Sequence, residues 1–254
     1  MPTSFLHLPS EIRNDIYEQL LVLEDTIPCL ETPWKITSPT GAITTGLLLA
    51  NKTVSREAIS ILYAQNHFNF TDCDLNRISS FIHKIGQDNA NFIRHIVLDF
   101  PSFSSLDLHH FALHDESTRI LDTIRERCSN LRTMTTSLYS TSDMVVELDD
   151  LDCPKTVTEA FTLVDSRFRA FSALEKVIVE VYKDGASDYI RKEMEKIGWT
   201  VSETEQLVEL GVEFDFDWDG NLGDSDGDYS LEDYGYDDEY DIDNDSDFWR
   251  RAGD

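Results

Sequence analysis

Three segments of this chain repeat one apolar pattern, and that recurrence limits the fold more than any other feature. They are Ile93-Arg-His-Ile96-Val-Leu98-Asp-Phe100, Leu131-Arg-Thr-Met134-Thr-Thr136-Ser-Leu138 and Leu174-Glu-Lys-Val177-Ile-Val179-Glu-Val181. Their last five positions alternate, as a half-buried strand requires. Helical patterns separate them. One runs about Glu116–Cys128 on Ile120, Leu121 and Ile124; another runs about Val157–Phe171 on Ala160, Phe161, Val164 and Phe168. An earlier one near Leu75–Gly86 carries Ile78, Phe81, Ile82 and Ile85, and a last one between Gly185 and Gly198 carries Ile190, Met194 and Ile197. Strands alternating with helices predict an α/β layer of parallel neighbours joined by right-handed crossovers.

The first helix has a different character. In Phe5–Leu23, Pro9 suits the first helical position, where a missing N–H has no partner to lose. Glu11 follows in the first turn, where negative charge favours the positive end of the dipole. Leu8, Ile12, Ile16 and Leu20 recur every four residues, with Tyr17 and Leu21 beside them. That makes one apolar face on an otherwise polar helix. A second helical stretch within 46–70 places Leu47, Val54, Ala58, Ile61 and Leu62 on a common face.

The phrases Leu8-Pro9, Glu11-Ile12 and Ile16-x-x-x-Leu20 resemble the first helix of an F-box. Leu47-Leu-Leu-Ala-Asn-Lys52 and Ile61-Leu-Tyr-Ala-Gln-Asn-His-Phe68 are similar to the continuation of the F-box-like proteins numerous in filamentous fungi. The resemblance covers about residues 5–70. It implies a binding module that docks on the Skp-type adaptor of a cullin–RING ubiquitin ligase, with an unknown protein substrate held by the part that follows. Leu8, Pro9, Ile12, Ile16, Leu20, Leu49 and Val54 are the docking residues it implies. One departure stands out: an inserted loop or hairpin at 24–45, with Pro28, Pro33, Pro39 and Gly41 and a hairpin around Cys29 and Trp34. The expected organisation is an F-box-like module at 1–70, an α/β domain at 71–219 and a disordered acidic tail at 220–254. The three recurring segments also resemble irregular leucine-rich repeats. Their starts lie 38 and 43 residues apart, however, and the usual Asn position is missing. An ordinary α/β layer therefore remains the alternative.

Charge narrows the partners. The net charge is −28, and residues 220–254 hold 13 acidic and 2 basic side chains. Neither part offers a basic stripe to neutralise phosphates, which argues against nucleic acid or an anionic membrane as partner. A basic protein is the expected partner of the tail. The tail has few aliphatic residues among its acids, the composition of a disordered segment. No apolar run reaches transmembrane length and no signal sequence is visible, so an intracellular protein of cytoplasm or nucleus is expected. Cys29, Cys73, Cys128 and Cys153 form no C-x-x-C pair and read as reduced thiols.

Chemical motifs are weak. Asp215-Phe-Asp217-Trp-Asp219-Gly220 through Asp226 has the oxygen spacing of a calcium loop, but its twelfth position is Asp and no second helix follows. Val212, Phe214, Phe216 and Trp218 also alternate with acids, as in a final strand. His109, His110 and His114 cluster without the ligands to complete a zinc site. No phosphate-binding, nucleophile-elbow or zincin motif occurs. The expectation is no metal, no cofactor and no enzyme. Two functions remain: a ligase adaptor, or a stand-alone structural or interaction protein whose F-box-like helices pack into its own core. Exposure of the Leu8–Leu20 stripe separates them.

Overall fold

The structure, a computed structural model, describes residues 4–29, 37–38, 41–42, 46–107, 110–149 and 153–205, which all fall in one compact unit, Met1–Val208. The acidic tail, the calcium-loop pattern, the expected final strand at 212–219 and Trp34 lie outside the described residues.

Six strands form one parallel sheet: β1 (Ile27–Pro28), β2 (His67–Asn69), β3 (His95–Leu98), β4 (Thr133–Thr136), β5 (Lys176–Tyr182) and β6 (Thr200–Thr204). Their order across the sheet is their order along the chain. The three recurring segments become β3, β4 and β5, side by side, with Ile96 opposite Met134 opposite Val177 and Leu98 opposite Thr136 opposite Val179. The likeness of the segments extends to the backbone. The Arg94 carbonyl accepts the N–H groups of Arg132 and Thr133 at 2.9 Å, and one segment later the Arg132 carbonyl accepts those of Glu175 and Lys176 at 2.9 and 3.0 Å. Strands β1 and β2, drawn from within the first 70 residues, belong to the same sheet. The 24–45 insertion contributes β1 and a two-residue antiparallel ribbon, Thr37–Ser38 against Gly41–Ala42.

The helices are α1 (Ser10–Leu21), α2 (Gly46–Ala50), α3 (Lys52–Gln65), α4 (Leu75–Ile85), α5 (Gln87–Ala90), α6 (Asp115–Arg127), α7 (Leu138–Asp149), α8 (Pro154–Phe168) and α9 (Asp188–Lys196). Local chemistry sets their ends. Asn51 caps α3 by accepting from the N–H groups of Thr53 and Val54, each at 3.0 Å. Its extended backbone splits the expected second helix into α2 and α3. Asp74 caps α4, and Gly86 ends it at φ +81°, a conformation that favours glycine. Pro9 sits one position earlier than expected, at the N-cap of α1. His114 caps α6 through Nδ1, with Asp115 and Glu116 in the first turn and Arg125 and Arg127 in the last, a charge order that suits the dipole.

Four features have no counterpart in the sequence patterns: α5, α7, β6, and the antiparallel ribbon Phe103–Asp107 against His110–Leu113.

The core lies between the helices and one face of the sheet. Phe68, Ile96, Met134 and Val177 form one buried row across β2–β5. Tyr63 of α3 stacks on Phe68 at 5.6 Å, and Phe81 of α4 meets Phe68 and Phe70. Trp199, just before β6, is surrounded by Phe100, Phe161 and Phe168, while its indole N–H donates to Asp165 at 2.9 Å. That bond satisfies the one polar atom the ring takes into the core.

The opposite face is different. His95, Asn69, Val97, Ile178, Glu180 and Tyr182 are half-buried, and His67 and Lys176 are exposed. Parallel sheets are normally covered on both faces. Phe161 is fully buried in the Trp199 cluster. Phe161→Ala should therefore destabilise the protein by about 3–5 kcal/mol, as ring-to-methyl truncations in cores do. Chemical denaturation monitored by circular dichroism measures this.

Candidate functional site

The apolar stripe of α1 is the clearest surface feature, and its geometry begins with what holds the helix. Tyr17 and Leu21 point inward and are completely buried. Phe5 packs on Tyr17 with ring centroids 5.8 Å apart. Arg13 lies on the inward side as well. Its Nε donates to Glu57 Oε2 of α3 at 2.9 Å, and a terminal nitrogen donates to the other carboxylate oxygen. The Tyr17 hydroxyl donates to the same Glu57 Oε2 at 3.0 Å. Arg13 also reaches the Leu8 carbonyl at 2.6 Å, which fixes the turn before the helix. A two-pronged Arg–carboxylate pair fixes direction as well as distance.

Asn66 locks the other end. Its side-chain amide donates to the carbonyls of Leu21 and Leu62, each at 2.8 Å, and its oxygen accepts from the Leu23 N–H at 2.8 Å. These bonds satisfy carbonyls that helix C-termini leave without partners. Asn66 is itself buried, so one side chain fastens the ends of α1 and α3 and the chain leaving α1.

With Arg13, Tyr17 and Leu21 inward, the four-residue spacing turns the stripe outward. Leu8 is 37% exposed, Ile12 45% and Leu20 41%; Leu6 at 41% extends the patch, Pro9 is exposed and Ile16 is half-buried. Leu49, 86% exposed, stands on the separate helix α2. Val54 is 3% exposed and belongs to the core of α3 with Ala58, Ile61 and Leu62. Five of the seven expected docking residues thus share α1 and the turn before it, Leu49 lies elsewhere, and Val54 is interior. The sequence pattern could not separate Val54 from the others, because an apolar helical position reads the same whether it meets its own sheet or a partner.

Electrostatics agrees with a rigid clamp. The Arg13 hydrogen bond holds the Glu57 carboxyl below its usual value of 4.5, against the desolvation that would raise it. Burial, followed by the bond to Glu57, pushes the Tyr17 phenol up.

Elsewhere the chemistry is quieter. A crevice opens at the carboxyl ends of β2–β4, where α/β sheets usually hold ligands. It is lined by Asp99, His114, Asp143 and Glu147. Asp99 is already engaged by the Asp72 N–H and the Ser137 hydroxyl, both at 2.8 Å, and His114 by its capping role. His110 lies in the ribbon and His109 outside the described residues. Among the described residues, no three His, Cys, Asp or Glu side chains converge as a metal site would require. All four cysteines are free, and burial pushes the Cys128 thiol up to about 12. No helix among the described residues is long and apolar enough to cross a membrane. No known protein family, curated protein or solved structure matches this chain.

Two outcomes test the clamp. Asn66→Ala should cost about 2–4 kcal/mol, because it leaves buried backbone groups without partners; urea titration reads it. Glu57→Gln should lower the melting temperature at neutral pH. Because the folded-state carboxyl titrates below its ordinary value, its contribution is present above about pH 4.5 and is lost as pH falls through the depressed value. The gap between wild type and Glu57→Gln should therefore shrink between about pH 5 and pH 3. A gap that stays constant over that range would separate the clamp from the Glu57 charge.

Proposed function

We propose that this chain is a protein–protein adaptor whose N-terminal helix docks on the Skp-type adaptor of a cullin–RING ubiquitin ligase, with the α/β layer presenting a protein substrate. The observation that supports this reading is the outward-facing stripe of Leu8, Ile12, Ile16 and Leu20 on a helix fixed from behind by Arg13, Tyr17, Glu57 and Asn66. A contiguous apolar strip on a rigid helix is a preformed anchor for a partner groove, since little ordering entropy remains to oppose binding. The same residues carry the F-box resemblance. In this reading the protein is not an enzyme and takes no cofactor.

A second reading has its own observation. Tyr17, Leu21 and Val54 of the F-box-like helices do pack into the protein's core. They would do so equally in a stand-alone interaction protein with no ligase role.

Ile12→Asp separates the two. Ile12 is nearly half exposed, so the change should cost the isolated protein less than about 1 kcal/mol. It should weaken binding to purified Skp-type adaptor about 30-fold or more, because a charge enters a desolvated apolar contact. Calorimetric titration measures the affinity and thermal melting the stability. A well-folded wild type that binds no adaptor leaves the stand-alone reading.

A further inference from the structure

The half-exposed face of the sheet carries an ordered row of side chains. His67, His95, Thr133 and Lys176 stand opposite one another across β2, β3, β4 and β5. The two imidazoles stack, with centroids 4.8 Å apart and planes 11° from parallel. Arg94 and Arg132 precede β3 and β4, and both lie close enough to act electrostatically on His95. Arg132 shares its charge with Glu175 at 3.4 Å. Among the described residues, neither Arg94 nor Lys176 makes an ion pair. The next row along the strands is Asn69, Val97, Thr135 and Ile178, in which polar and aliphatic side chains alternate. The chain as a whole carries −28, so five cationic or protonatable groups, with Glu175 beside Arg132 and Glu180 further along the same face, run against its average.

We propose that this row is a docking surface for a short acidic polypeptide segment laid across β2–β5, its carboxylates over the His67–His95 pair and Lys176 and its apolar side chains against Val97 and Ile178. Neighbouring strands lie about 4.8 Å apart, so the row is about 14 Å long. An extended segment presents side chains to one side about every 7 Å, so two or three alternate carboxylates match the row. Charge complementarity selects this occupant. The short row also discriminates against a nucleic acid, whose long run of phosphates meets repulsion from the rest of the molecule. The surface is separate from the α1 stripe and stands whether or not the adaptor reading holds.

His95 gives binding a pH sign. Burial, then His67, Arg94 and Arg132, hold the His95 imidazole below its usual value. A bound carboxylate opposes that effect and favours the imidazolium, so binding takes up a proton and tightens as pH falls. The charged groups around His95 in this row are His67, Arg94, Arg132 with its Glu175, and Lys176; Glu180 lies further along the same face.

The test uses the full-length protein and three fluorescein-labelled probes followed by anisotropy. They are a ten-residue peptide alternating Glu and Val, its Gln–Val counterpart, and a single-stranded DNA of the same length. The Glu peptide should bind saturably and the Gln peptide should not. Raising salt from about 50 to 300 mM should weaken binding about tenfold, and lowering pH from about 7.5 to 6 should tighten it about threefold. Arg94→Glu and Lys176→Glu should each weaken it about fivefold or more, while Ile12→Asp leaves it unchanged. His95→Gln should flatten the pH dependence. Both charge reversals are at exposed positions, and melting curves confirm that they fold; Lys176→Gln serves if either does not. The proposal falls if the Glu peptide does not saturate, if the Gln peptide binds equally, if neither reversal weakens binding, or if DNA binds more tightly than the peptide.

Discussion

A parallel strand placed beside its predecessor by a crossover of constant hand receives its connecting helix on the same face each time. That constraint organises this protein. Five successive crossovers lay β1 to β6 down in chain order, and the aromatic and aliphatic core gathers on the side of Phe68, Ile96, Met134 and Val177. In folds that reverse strand order, helices cover both faces. Here nothing reverses, so the second face keeps polar, half-exposed side chains on otherwise ordinary β-strands. The one-sided core and the accessible row from His67 to Lys176 are two results of one topology.

The N-terminal helix answers to a different requirement. It does not cross between neighbouring strands, so it has no sheet face of its own to bury. It is attached through α3 by Tyr17, Leu21, the Arg13–Glu57 pair and the Asn66 bonds. Polar attachment leaves the helix free to use its most apolar side elsewhere. An outward stripe of Leu and Ile on a helix so fastened is a costly arrangement unless something covers it.

Much of this was legible in the sequence, and the failures have physical causes. Strands β3, β4 and β5 were readable as parallel neighbours from three like segments separated by helical patterns; their register, Ile96 opposite Met134 opposite Val177, comes from the structure. Helices α4, α6, α8 and α9 followed from four-residue spacing. Helix α7 did not, since Tyr139-Ser-Thr-Ser142 has poor helix propensity; burial of Thr141, Met144, Val145 and Leu148 overrides it. Strand β6 has one aliphatic residue, Val201, and exists through backbone pairing with β5. At the candidate site, the stripe on α1 was legible but its direction was not. Which side faces out is decided by the bonds of Arg13, Tyr17 and Asn66 to residues forty or more positions away. The stacked His67–His95 pair was invisible for the same reason: only the pairing of β2 with β3 brings the rings together.

Sequential pairing also bears on how the chain assembles during synthesis. Each strand of the sheet finds its partner in the strand made just before it, so no edge must wait for a distant segment to emerge. Each pairing closes a single crossover and none spans the whole chain, which keeps the entropy lost at every closure below that of joining distant strands. The sheet can therefore grow one strand at a time behind the ribosome, with each new helix sealing the hydrophobic row its own strand has just extended.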